Sequence, residues 1–268
     1  LARVGAHLGI RRLERRLQEA NRRYAQELAL AGSLQQSFLA HPAPTLPGWQ
    51  MATAFRPARE TSGDFYGLFE LPAGRLGIIV GDVVDKGAAV ALFMALSLTL
   101  LRTFAFEFPE DPARALTATN VRLLTDTDGT RFVTVFLGSL DPHSGQLDFA
   151  NAGHNPGLWF RGSGSGEPEA LTRTGRMLGM FPEDHWEAGR VRLDPGDTLF
   201  LYTDGVTEAC PANGDLFGTE RLLSSLRAVR HAAASETLDR VLVDVAAHLH
   251  GDPQPDDIAL VAIRRTPA

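Results

Sequence analysis

Leu71-Pro-Ala-Gly joins one pair of short apolar segments, and Asp141-Pro-His-Ser-Gly joins another. Proline, glycine and aspartate at these positions are turn formers. A link that short can only connect antiparallel strands, because parallel neighbours need a crossover of a dozen or more residues. The flanking segments 64–71, 75–81, 131–140 and 146–151 are rich in aliphatic and aromatic residues and read as strands, as do 50–56, 157–160, 198–203 and 258–264. Helical patterns come in pairs, 87–106 with 111–126 and 219–229 with 235–250. Helix pairs that follow runs of strands predict α+β, not a βαβ alternation. Two antiparallel sheets with a helix pair outside each would bury a chain that is 44% hydrophobic.

Residues 1–40 are different: they lack proline and are dominated by Arg, Glu, Gln, Leu and Ala. Ile10, Leu13, Leu17, Ala20 and Tyr24, then Ala31, Leu34 and Phe38, recur at spacings of three and four, with Glu27 interrupting the heptad. This predicts a helix, with two readings. It is a coiled-coil linker that pairs two chains and leads to an upstream module, or an amphipathic helix lying on its own domain. The prolines after His41 end it. The expected organisation is a helical, coiled-coil-like linker over 1–40 and one domain over 41–268. The chain opens on Leu1 and is expected to be part of something longer.

Composition narrows the functional classes. A net charge of −6 disfavours a dedicated nucleic-acid binder. A single cysteine, Cys210, cannot form an internal disulfide. The opening is arginine-rich, without the apolar core of a signal peptide. The longest mostly apolar run, 88–101, falls short of the roughly 18 residues that a membrane span needs. The expectation is a cytoplasmic domain, with any upstream sensor free to be membrane-bound. Lys86 is the only lysine. The glycine–serine stretch 162–166 lacks the Gly-Lys-Ser/Thr ending of a phosphate loop and reads as a flexible loop.

Four acidic sites stand where strands meet turns: Asp64 in SGDFYG, Asp82 in GDVVDKG, Asp204 in YTDGVTEA, and Asp256-Asp257 in QPDDIALV. Aspartate is a poor strand former, so each is a turn former or a ligand. Strand ends of a sandwich can converge on one edge. Carboxylates gathered there repel unless a cation neutralises them. With oxygen donors and no Cys/His cluster, that cation would be Mg²⁺ or Mn²⁺. Two such ions bind a phosphate and acidify a water between them, which describes a phosphoester hydrolase with no covalent nucleophile.

The segments SGDFYG, GDVVDKGAAVALFMA, FVTVFLGSLD, FANAGHNPGLWF, LDPGDTLFLYTDGVTEA, FGTERL and DDIALVAI resemble, in order and spacing, successive motifs of the SpoIIE-like branch of the metal-dependent protein phosphatases, the protein phosphatase 2C superfamily. LQQSFLAHPAP is similar to the linker helix that often precedes that domain behind a sensor module. The resemblance implies a four-layer αββα sandwich with two Mn²⁺ or Mg²⁺ ions in a cleft at one end. It implies that Asp82 bridges both ions and the Val83 carbonyl joins one. Asp204 and Asp256 would hold the other, and Asp64 would contact the second ion directly or through water. Asp257 would sit behind the ligands, and Gly81, Gly87 and Gly205 would shape the approaching turns. The implied activity is serine/threonine protein dephosphorylation by metal-activated water. The implied substrate is a phosphorylated anti-sigma-factor antagonist or a similar signalling domain. The implied control runs from an upstream sensor through the 1–40 helix, with a homodimer formed by that helix. Two rivals stand beside this reading: a pseudophosphatase that binds without turnover, and a hydrolase of nucleotides or other small phosphoesters.

The sequence departs from the family pattern in several places. Ser62 and Gly67 stand where GGDFYD has its first glycine and last aspartate, and Val84 and Asp85 stand where Ser and Gly are frequent. Losing the aspartate at 67 would weaken one metal site if that carboxylate supports it. Valine has no proton to give, so a metal-bound water would protonate the leaving group. Asp85 is read as a solvated turn residue or part of a weak additional metal site. His154 is read as structural or as a general acid, with Asn151 and Asn155 capping its turn. Arg56 and Arg59 are solvated, or reach a phosphate. His7, His41, His143, His185, His231, His248 and His250 show no metal-ligand spacing, Cys210 is read as structural, and Phe93 and Met94 as core.

Overall fold

A computed structural model describes residues 2–39, 42–85, 87–163, 167–212 and 214–267, the side chains of 2–10 excepted. Lys86, His41, residues 164–166 of the glycine–serine stretch, and the side chains of His7 and Ile10 therefore lie outside the described residues.

The chain runs α1 (Ala2–Leu39), β1 (Trp49–Arg56), β2 (Asp64–Glu70), β3 (Leu76–Val83), α2 (Ala88–Glu107), α3 (Pro112–Asp126), β4 (Val133–Leu140), β5 (Gln146–Ala152), β6 (Gly157–Phe160), β7 (Glu169–Leu171), β8 (Gly189–Arg192), β9 (Thr198–Tyr202), α4 (Gly218–Ala228), α5 (Ala234–Leu249) and β10 (Ile258–Arg265). One sheet has the order β1-β10-β9-β6-β7 and the other β2-β3-β4-β5-β8. Every strand pairing is antiparallel, as the two tight turns require.

Alternation along the strands sorts side chains into layers. Ile78, Val80, Phe136, Leu199, Leu201 and Val261 meet between the two sheets. Phe65, Ile79 and Val83 face the other way, onto Met94, Leu98 and Leu116 of α2 and α3. Phe200, Leu260 and Ala262 pack on Leu222, Leu238 and Val241 of α4 and α5. The result is the four-layer αββα sandwich. Phe93 and Met94 are core, as read from the sequence.

Three expectations change. β7 and β8 are short edge strands of three and four residues, too brief to show an alternation in the sequence. The apolar run does not stop at residue 101: α2 extends to Glu107 and, among the described residues, is the one helix long and apolar enough to cross a membrane. Here Val90, Phe93, Met94, Leu98 and Leu101 bury one face of it against the sheet. The third change is at α1, which has two faces instead of one seam. Leu13, Leu17 and Tyr24 of the heptad are 72%, 62% and 70% exposed. A neighbouring stripe of Leu28, Ala31, Gly32, Gln35 and Leu39 is partly or fully buried on the domain. Leu39 joins the core beneath α2.

Candidate active site

Asp64 opens β2 directly opposite Asp82 on β3. Asp82 shares the parity of Ile78 and Val80, and Asp64 that of Leu68, so both strands aim these acids into the space between the sheets. Asp204 lies just beyond the end of β9, and Asp256 just before β10. The register Tyr202 to Leu260 brings those two ends together. The sheet of β9 and β10 thus delivers its acids to the edge where the sheet of β2 and β3 delivers Asp64 and Asp82.

Charge couples the two halves. Asp64 is 3% exposed. Burial, then the neighbouring Asp82 charge, holds its carboxyl well above the usual carboxylate range, with Asp257 adding to the rise and a Thr203 hydrogen bond opposing it. Burial, then Asp82, Glu208 and Asp256, pushes Asp204 up to about 6. Asp82 is therefore the neighbour common to Asp64 and Asp204.

Glycines keep this edge open. A Cβ on Gly63 would stand 2.5 Å from the Val83 carbonyl oxygen and 3.0 Å from Asp82 Oδ1. A Cβ on Gly205 would stand 1.8 Å from the Asp257 carbonyl oxygen, so no side chain fits where the 204 turn crosses the start of β10. Gly87, at φ 106°, takes a left-handed conformation just before α2. Gly81 has another reason to be glycine. It faces the helix layer, where a Cβ would collide with the Phe65 ring and the Thr134 carbonyl.

Asp257 does not point into the opening. Its Oδ1 accepts from the Ala58 N–H at 2.8 Å and its Oδ2 from the Gly63 N–H at 3.1 Å, tying the 58–63 segment to β10.

The donor set suits a hard cation. It is all oxygen, and buried Oδ2 of Asp64 has no hydrogen-bond partner. The acids still stop short of a cage: among the described residues no three His, Cys, Asp or Glu side chains are arranged around one ion position.

The remaining candidates separate clearly. His154 is buried, its pKa lowered to about 4 by burial with the Tyr202 backbone opposing weakly. Its Nδ1 meets Thr134 Oγ1 at 3.0 Å, and its N–H donates to Asn151 Oδ1 at 2.8 Å. Asn151 thus caps its turn, while the buried Nε2 of His154 has no hydrogen-bond partner. Asn155 does not cap through its side chain; it offers its carbonyl to Asn151, and its own Nδ2 has no partner. Arg56 is exposed and bonds its neighbour's carbonyl. Arg59 lines a small depression with Thr61, Gly63, Asp256 and Asp257, beside the acids. Cys210 donates to the Gly214 carbonyl. Gly67 lies on the helix side of β2, where a Cβ would approach Arg102, so a carboxylate there would face a guanidinium and not the acids. Asp85 takes φ 90°, a region where glycine is at ease and aspartate is strained. Glu208 was not singled out in the sequence; its place four residues after Asp204, in the same turn, is the signal that marks it.

An αββα sandwich whose two sheets present acids at one edge is a domain of the PP2C fold type. The family described as Stage II sporulation protein E (SpoIIE) matches residues 72–266. The chain belongs to that family. Protein IcfG of Synechocystis sp. (strain ATCC 27184 / PCC 6803 / Kazusa) is 36% identical over 265 residues, covering 89% of this chain and 41% of its own length. Phosphoserine phosphatase RsbU of Bacillus subtilis (strain 168) is 26% identical over 242 residues, covering 89% of this chain and 70% of its own. The chain thus spans less than half of one of these relatives. The SiaA-PP2C domain of Pseudomonas aeruginosa has the same fold, with a TM-score of 0.79 at 24% identity over 91% of this chain and 98% of that one.

Proposed function

We propose that this chain is a Mn²⁺- or Mg²⁺-dependent protein phosphatase acting on phosphoserine or phosphothreonine in a small signalling domain of the anti-sigma-factor antagonist type. The observation that carries the reading is the strand register, which sets Asp64 opposite Asp82 and brings together the strand ends that bear Asp204 and Asp256. In this reading Asp64, Asp82, Asp204 and Asp256, with the Val83 carbonyl, would hold two divalent ions, Asp82 being the carboxylate shared between them. Bound there, divalent ions supply the positive charge that receives a phosphate and the acidity that makes water a nucleophile at neutral pH. The chain's own side chains orient and gate. Asp257 holds the 58–63 segment in place, Arg59 lines the depression beside Asp256 and would be within reach of an incoming phosphate, and Val84 offers no proton to the departing serine oxygen. The family and the relative named a phosphoserine phosphatase support this reaction class. An upstream sensor would act through α1, whose open heptad face would pair two chains.

A phosphate-release assay tests the reading. With Mn²⁺, a phosphoserine-bearing protein should lose phosphate and nucleotides should not; chelator should abolish release. Asp82→Asn should slow turnover by about 100-fold or more, the size of a lost charge contact worth several kcal/mol. Full activity in that variant or in chelator ends the two-ion mechanism. A binding module without turnover is the alternative; retention of Asp64, Asp82, Asp204 and Asp256 argues against it, and metal-dependent release by the parent excludes it.

A further inference from the structure

Gln35 is 5% exposed on a helix whose residues 11–27 are all exposed. Its side-chain amide grips the backbone of a residue 27 positions away: Nε2 donates to the Ser62 carbonyl, and Oε1 accepts from the Ser62 N–H at 2.9 Å. One turn earlier, Gly32 lies against Glu60, and a Cβ there would come 1.8 Å from the Glu60 carbonyl oxygen. The gripped segment leads straight into the acids. Ser62 Oγ accepts from the Asp64 N–H at 3.0 Å, and the Gly63 N–H donates to Asp257. Residues 58–64 are therefore held between two clamps, Gly32 and Gln35 of α1 on one side and Asp257 on the other.

We propose that Gln35 is a positioning residue for Asp64 and for the Val83 carbonyl beside Gly63, so that the docking of α1 sets the affinity of the acidic edge for a divalent cation. The inference rests on the metal reading above and adds the residue that couples the helix to it. An amide is needed because only a side chain with one donor and one acceptor satisfies both backbone groups of Ser62. Rotating α1 by one residue, about 100°, would carry Gln35 off Ser62 and drive a side chain into Glu60. Coupling is reciprocal: a cation that favours the placed segment also favours the docked helix.

The test uses the full chain carrying Gln35→Met, which keeps the volume and removes both hydrogen bonds. Leu222→Ala, a core cavity on the far side of the sandwich, controls for general loss of stability. Two readouts are taken: hydrogen exchange at the amides of 58–64 without metal, and the Mn²⁺ concentration giving half of the thermal shift. Gln35→Met should speed exchange in 58–64 while β4 stays protected. It should also raise the half-saturating Mn²⁺ by about tenfold, the scale of one lost hydrogen bond, and Leu222→Ala should do neither. Unchanged exchange in 58–64, or a Mn²⁺ response matching the parent or the control, overturns the proposal. A parent that binds Mn²⁺ but releases no phosphate sinks the phosphatase reading alone; both Gln35→Met effects would still sustain this one. A parent with no Mn²⁺ response overturns both.

Discussion

His154 and Asp204 show how one edge of a sandwich pushes two kinds of titrating group in opposite directions. Burial lowers His154 to about 4, below its ordinary value of 6.5. Between those values the unfolded chain takes up a proton that the folded chain refuses. Its contribution to stability is therefore whole above pH 6.5 and is lost as the pH falls toward 4, with a ceiling on the order of 3 kcal/mol. Asp204 is raised to about 6, so its contribution is whole below its ordinary 3.8 and is lost as the pH rises through 6. The parent mixes both signs, and a variant separates them. His154→Gln should lose less melting temperature than the parent between pH 7 and pH 5, by roughly 4–8 °C for a difference of about 2 kcal/mol. Parallel melting curves across that range would mean that His154 charges freely in the folded chain.

At the scale of elements, α1 does two jobs on two faces. The stripe from Leu28 to Leu39 fastens the helix to α2 and to the 58–64 segment, while Leu13, Leu17 and Tyr24 lie open. Apolar side chains repeating every three or four residues and left in water are what a second helix would cover. Leu17→Asp should shift the chain to a lighter species in sedimentation velocity while the circular dichroism of the sandwich is retained. That separation is expected because, among the described residues, the core clusters draw only Leu39 from α1. Parent and variant sedimenting alike would remove the pairing role and leave α1 as a strut. The edge strands β7 and β8 belong to this scale too. Each completes a sheet edge with very few residues, and short edges resist pairing with other chains.

Across the whole molecule, the acids come from both sheets, so filling their edge with a cation ties the two halves of the sandwich. A ligand that binds only the folded state stabilises it by mass action, about 2.7 kcal/mol at a hundred times its dissociation constant. Saturating Mn²⁺ should therefore raise the melting temperature by roughly 5–10 °C, and Asp204→Asn should blunt the rise. Differential scanning calorimetry with and without Mn²⁺ checks this; a flat response would show that the acids never assemble a site.

Turn chemistry and alternation were enough to read antiparallel pairing, paired helices and the sandwich from the chain alone, because those signals are local. Leu71-Pro-Ala-Gly and the alternation of Ile78, Val80 and Asp82 are written in consecutive residues. The acids were legible for the same reason: an aspartate bounding an apolar strand stands out in any sequence. What stayed hidden depends on contacts between distant residues. Gln35 reads as one more polar position on an amphipathic helix until the fold sets it on Ser62. Gly81 reads as a turn glycine until the Phe65 ring is seen to fill the space beside it. Gly67 reads as a lost metal-supporting carboxylate until strand parity puts it on the helix side, facing Arg102. Periodicity decides which way a side chain points; only the packed tertiary structure decides what it meets there.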